Sequence, residues 1–248
     1  MWRSVRRWQG VVLVVAALVS TVWLAVTNQL ILYIHPRYVV FTVIMAALGL
    51  VLVVASFASK PDDDHDEPPK RWRAVLSVAA TVLTFVVAVG LVVVPPATLT
   101  TATANQRVIN STGVGSGAQN ASSAASAPSG TFTKFTVLDW SSLLRQTSDA
   151  SFYSDKAADV TGFITADKSD ADNVFYVSRF VITCCAVDAQ PVGVPVYLPN
   201  WKASFSPDEW VRVKGAFGTN PSRTSQQPIA LVPTGTTKVD QPSEPYLY

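Results

Sequence analysis

The chain has 248 residues, 49% of them hydrophobic and only 15% charged, and its mean hydropathy is +0.28. Soluble domains carry about 25% charged residues, so an ordinary soluble enzyme does not fit. A net charge of +2 gives no argument for nucleic acid. The apolar excess is uneven: residues 1–96 hold 8 Lys/Arg and 5 Asp/Glu, and residues 97–248 hold 11 and 12. This is the pattern of a membrane region followed by a polar domain.

Three stretches are apolar and long enough to span a bilayer, which takes about 20 helical residues. They are residues 10–27, with a continuation through Asn28 and Gln29 to Ile34 also open, residues 38–57, and residues 74–94 before Pro95-Pro96. None has a charged residue inside it, so this half by itself has no proton relay. The basic residues set the orientation. Arg3, Arg6 and Arg7 precede the first span, Lys60, Lys70, Arg71 and Arg73 lie between the second and third, and Arg37 stands alone in the remaining loop. The positive-inside rule then puts the N-terminus in the cytoplasm and everything after Pro96 outside the plasma membrane. A cleaved signal peptide is the alternative for the first span, but two further spans follow it. The loop run Asp62-Asp63-Asp64-His65-Asp66-Glu67 reads as a solvated acidic stretch or a weak cation site, without the spaced ligands of a calcium loop.

Residues 97–130 are rich in Ser, Thr, Ala and Gly, with Arg107 the only charge, and read as a flexible tether. The sequences Asn110-Ser111-Thr112 and Asn120-Ala121-Ser122 match the glycosylation acceptor pattern, which matters only in a eukaryotic secretory pathway. From residue 131 a small all-β domain is expected. Asp139 caps a short helix through Trp140, Leu143 and Leu144. Strands are expected at 158–166, 173–183, 192–198, 209–217 and 227–232. In Trp210-Val211-Arg212-Val213-Lys214 the valines share one face and the cations the other. Gly162 and Gly215 suit the bends of a closed barrel, and five strands with the longest gap after the third suggest an OB-like barrel. The domain's cations are dispersed, so no phosphate-tracking groove, and no nucleic-acid partner, is expected.

The two cysteines are adjacent, Cys184 and Cys185. Their Cα atoms lie about 3.8 Å apart across a trans peptide, short of the roughly 4.4–6.8 Å of an ordinary disulfide, though a strained vicinal ring remains open. Metal or redox use stays open too, but the pair lacks the spacing of a common zinc signature.

The run Tyr33-Ile34-His35-Pro36-Arg37 and the segment Cys184-Cys185-Ala186-Val187-Asp188-Ala189, with Ser178-Arg179-Phe180 before it, resemble a family of bacterial two-component permease subunits of unknown function. Asp208-Glu209-Trp210-Val211 and Pro245-Tyr246-Leu247-Tyr248 resemble it as well. The resemblance implies a larger multi-span permease as partner and, in some members, a link to zinc or other metal homeostasis. By the charge count His35 falls on the same membrane side as Cys184, Cys185 and Asp188, and these four have the donor chemistry for Zn²⁺. The expectation is a non-catalytic accessory subunit of a membrane permease, with Tyr33, Pro36, Arg37, Arg179 and Trp210 supporting the motifs. Two alternatives are a membrane-anchored thiol oxidoreductase, with Arg179 the one cation able to stabilise a Cys184 thiolate, and an envelope protein-binding module.

Overall fold

The first apolar stretch forms helix α1, Trp2–Val26. Asn28 ends it by taking a left-handed conformation (φ 56°), which Asn tolerates better than most residues. The Gln29 N–H closes back on the Leu24 carbonyl at 2.8 Å, so the helix does not continue to Ile34. After short turns at Leu30–Leu32 and Pro36–Tyr38, helix α2 runs through Val39–Ala58. The two helices meet where Gly49 lets Leu18 approach: a Cβ on Gly49 would lie 3.4 Å from Leu18 Cδ2.

This is a computed structural model, and it describes residues 2–58, parts of 75–90, 98–111, 119–154 and 156–248. Among the described residues one helical stretch, Pro36–Ala55, is long and apolar enough to cross a membrane, with mean hydropathy 2.7. Val14–Val26 is a shorter apolar helical stretch. Along α2 the side chains of Phe41, Ile44, Leu48 and Leu52 face outward, as they would toward lipid. The expected third span at 74–94 lies largely outside the described residues, and the acidic loop at 62–67 lies wholly outside them.

The chain divides into two compact units, Met1–Ala97 and Thr98–Tyr248. In the second, the described part of the expected tether is folded against the barrel. Thr101–Asn105 forms helix α3 and Ala121–Ala125 forms helix α4, with Thr101, Ala104 and Ala124 buried. Small Ala and Thr side chains, which suggest a linker by composition, here allow close packing on a β surface. Asp208 accepts from Thr101 N–H at 2.6 Å, and Thr101 Oγ1 donates to the Ile164 carbonyl at 3.2 Å. Farther on, the Asn110 side chain donates to the Gly193 carbonyl and accepts from the Gly193 N–H, both at 2.8 Å, as a neighbouring strand would.

Helix α5, Val137–Gln146, starts earlier than expected: Thr136 is the cap, and Asp139 reaches back to the Thr136 N–H at 2.8 Å to complete a capping box. A short helix α6, Ala150–Tyr153, follows. The strands are β1 Ala157–Ala166, β2 Val174–Val181, β3 Gln190–Tyr197, β4 Trp210–Thr219, β5 Ile229–Lys238 and β6 Tyr246–Leu247. β1, β2 and β3 form an antiparallel meander, β3 joins β5 in parallel at Val196–Leu231, β5 pairs with β4, and β4 returns to β1. The ring is therefore closed, since β1 bonds to both β2 and β4. Val160, Ile164, Val177, Val194, Val211 and Val213 fill its interior, and Trp140 of α5 packs on Phe217 at 4.7 Å between ring centroids.

Closure depends on two glycines. A Cβ on Gly162 would stand 2.4 Å from the Ser178 carbonyl oxygen, and one on Gly215 would stand 2.3 Å from that of Val232. The bulge between Lys214 and Gly215 also admits Pro233 opposite Gly215, so β5 continues past the residue 232 at which the expected strand stopped. On the outer face of the barrel, Asp159 accepts from Arg212 Nε at 2.7 Å and from Arg212 Nη2 at 2.6 Å.

Candidate metal centre

The connection between β2 and β3 carries both cysteines. After β2, the Ile182 N–H donates to the Leu247 carbonyl at 2.9 Å, which ties the start of the loop to β6. A single turn at Ala186–Asp188 then brings Asp188 back over the preceding backbone. Its carboxylate accepts from Thr183 N–H at 3.1 Å and from Cys184 N–H at 2.7 Å. Ala189 is fully buried and anchors the return into β3. From the α3 side, Arg107 Nη2 donates to the Val187 carbonyl at 2.9 Å.

Inside this loop the two sulfurs lie 3.6 Å apart, and a ligand atom from each of Cys184, Cys185 and Asp188 lies within 4.8 Å of the others. Cys184 is exposed, and Cys185 and Asp188 are half-buried. With Zn–S bonds of about 2.3 Å, a tetrahedral site separates two sulfurs by roughly 3.8 Å. The observed spacing fits that edge with little movement. Two thiols and a carboxylate make a donor set suited to a thiophilic divalent cation.

The same geometry opposes nucleophilic chemistry. The Asp188 carboxylate beside the Cys184 thiol, and after it Cys185, push the thiol's pKa up to about 11. Partial burial pushes the Asp188 carboxyl upward, but hydrogen bonds from Cys184 and from the loop N–H groups outweigh it and hold the group below the ordinary carboxylate range.

The residues grouped from sequence fall in both units. His35 belongs to the first unit, where its Nδ1 accepts from Arg37 N–H at 3.1 Å and caps the turn that Pro36 opens. Arg37 lies over the Tyr38 ring at 4.7 Å, and Tyr33 is exposed. Arg179 does not face the thiols: its Nε donates to the Pro245 carbonyl at 3.1 Å, its Nη2 donates to the Glu244 carbonyl, and its guanidinium lies 5.4 Å from the Trp210 ring centre. Burial lowers the Arg179 pKa. Arg179 and Trp210 thus hold the C-terminal strand in place, where Tyr246 pairs beside Phe180 and its hydroxyl accepts from Leu99 N–H at 2.9 Å. Arg107, which composition alone assigns to a tether, touches the cysteine loop; as the single charge in a polar run it was the one signal available.

Asn110 also has a structural role, because its amide nitrogen is committed to Gly193. No curated protein matches the chain. Two family models do: residues 9–110 match the DUF1980 N-terminal domain and residues 122–248 match the DUF1980 C-terminal domain. The first match ends at the residue that clamps Gly193, so the segment packed on the barrel is matched together with the helical region. With both of its domains matched over most of its length, the chain belongs to the DUF1980 family.

Proposed function

We propose that the chain is a non-catalytic accessory subunit of a membrane permease, and that its outer domain handles a thiophilic divalent cation, zinc in class. The observation that carries this reading is the Cys184–Cys185–Asp188 centre, formed on a chain that also bears an outward-facing apolar helix. In this reading three spans sit in the plasma membrane with the N-terminus cytoplasmic, and the closed ring is an OB-like barrel on the extracytoplasmic side. The partners are the lipid bilayer and a larger multi-span permease subunit, and nucleic acid plays no part.

Within the outer unit the cation site rests on Cys184, Cys185 and Asp188, and His35 belongs to the other unit. The orientation of Arg179, the one cation the redox reading offered to stabilise a Cys184 thiolate, favours a ligand over a redox nucleophile. Affinity purification of the tagged full chain from its native membrane in mild detergent tests the permease assignment. A multi-span membrane protein should be recovered in near-equal amount; repeated recovery of the chain alone would overturn it.

A further inference from the structure

Zinc sites that hold a fold together are closed by four protein ligands, whereas sites that exchange or activate a ligand keep one position open. Two features of the β2–β3 loop decide between these. First, its shape is held by hydrogen bonds within the protein. Asp188 bonded to Thr183 and Cys184 N–H, Ile182 bonded to Leu247, and Arg107 bonded to Val187 already fix the loop. Second, among the described residues of this unit only three His, Cys, Asp or Glu side chains converge, and the outermost of them is Cys184. Cys184 itself is exposed, as are Val187 (82%) and, next to the Arg107 clamp, Val108 (72%).

From these features we infer that Cys184, Cys185 and Asp188 form an exchange site. They hold a divalent cation with three protein ligands and leave a solvent-facing fourth position for an external nitrogen or sulfur donor. The inference rests on the cation reading above and specifies how the cation arrives and leaves, by ligand exchange on a preformed loop. Arg107 is a positioning residue in this scheme, since it acts on the loop through the Val187 carbonyl and supplies no ligand.

The test is cobalt(II) loading of the purified full chain in detergent, read by visible and near-ultraviolet absorption, followed by imidazole titration and then chelator challenge. The expected result is one cobalt per chain with sulfur-to-metal absorption that falls by about half in Cys184→Ser and in Cys185→Ser. Imidazole should shift the visible bands saturably, and a chelator should strip the metal within the mixing time. Arg107→Ala should weaken loading ~10-fold while leaving the sulfur absorption of the saturated protein unchanged, the expected size for loss of an outer support. Circular dichroism of each variant confirms that the barrel is folded. Cobalt that binds but ignores imidazole and resists the chelator would overturn the exchange site and leave the cation reading standing. A folded chain that takes up no cobalt would overturn both.

Discussion

The Asp188 carboxylate accepts from the Cys184 backbone N–H at 2.7 Å and lies within 4.8 Å of the Cys184 thiol. One carboxylate therefore both shapes the loop and holds a proton on the outer sulfur. The thiol of an exposed cysteine ordinarily titrates near 8.5, and here it is pushed up to about 11. Alkylation by iodoacetamide at pH 8 should accordingly run well below the rate of a free exposed cysteine, ~100-fold below if thiolate fraction alone sets the rate. The rate should keep rising toward pH 11. Asp188→Asn removes the negative charge, so it should speed alkylation at pH 8; an unchanged rate would show that Asp188 does not govern the thiol.

The Asp159–Arg212 pair makes barrel stability depend on pH. Hydrogen bonds from Arg212 hold the Asp159 carboxyl below its ordinary value, against the opposing effect of partial burial. Because the folded value lies below the unfolded one, the pair's contribution is complete above the usual carboxylate range near 4 and is lost as pH falls through the folded value. Arg212→Ala should lower the Tm of the domain slightly at pH 7 and make no difference at about pH 2. The half-exposed Arg212 is screened by salt, so the effect at pH 7 should shrink in 1 M NaCl.

Gly162 has no room for a methyl group. A Cβ there would stand 2.4 Å from the Ser178 carbonyl oxygen, so Gly162→Ala must push β1 from β2 where the ring closes. Overpacking of this kind costs about 1–3 kcal/mol, read as a lower midpoint in denaturant. Gly218→Ala is the control, since nothing lies within 4 Å of its Cβ position, and it should be close to neutral.

Asn110 supplies both halves of a strand-like bond pair to Gly193 while its own backbone is left-handed, with φ 60°. Asn110→Gly keeps that backbone accessible and deletes the amide, so it isolates the side-chain contribution. Loss of the two bonds should cost about 1–2 kcal/mol. Faster amide exchange at Gly193 should accompany it, with strands β4 and β5 unaffected.

Much of the barrel was legible because its strands are half-buried. The Val211 and Val213 face and the Arg212 and Lys214 face separate by simple alternation, and Gly162 and Gly215 mark the bends. What escaped was structure made by long-range contact. Residues 101–110 look like a tether because Thr, Ala and Asn have little local preference; Asp208, Ile164 and Gly193 fix them from far along the chain. The second half of β5 was hidden by Pro233, which is tolerated only because a bulge faces it. Cys184, Cys185 and Asp188 were identifiable as a group, since their spacing is short and a single turn brings them together. His35 was grouped with them by topology, and within its own unit its Nδ1 caps the turn before α2.

Cation binding by the β2–β3 loop underlies both the proposed role and the exchange site, and metal analysis of the full chain measures it. Protein purified without chelator and equilibrated with a slight excess of zinc, then desalted, should retain one zinc per chain by elemental analysis. The double variant Cys184→Ser/Cys185→Ser, folded by circular dichroism, should retain essentially none. Wild-type protein without stoichiometric zinc, or a double variant that binds it equally well, would show that the cysteine loop is not a metal centre.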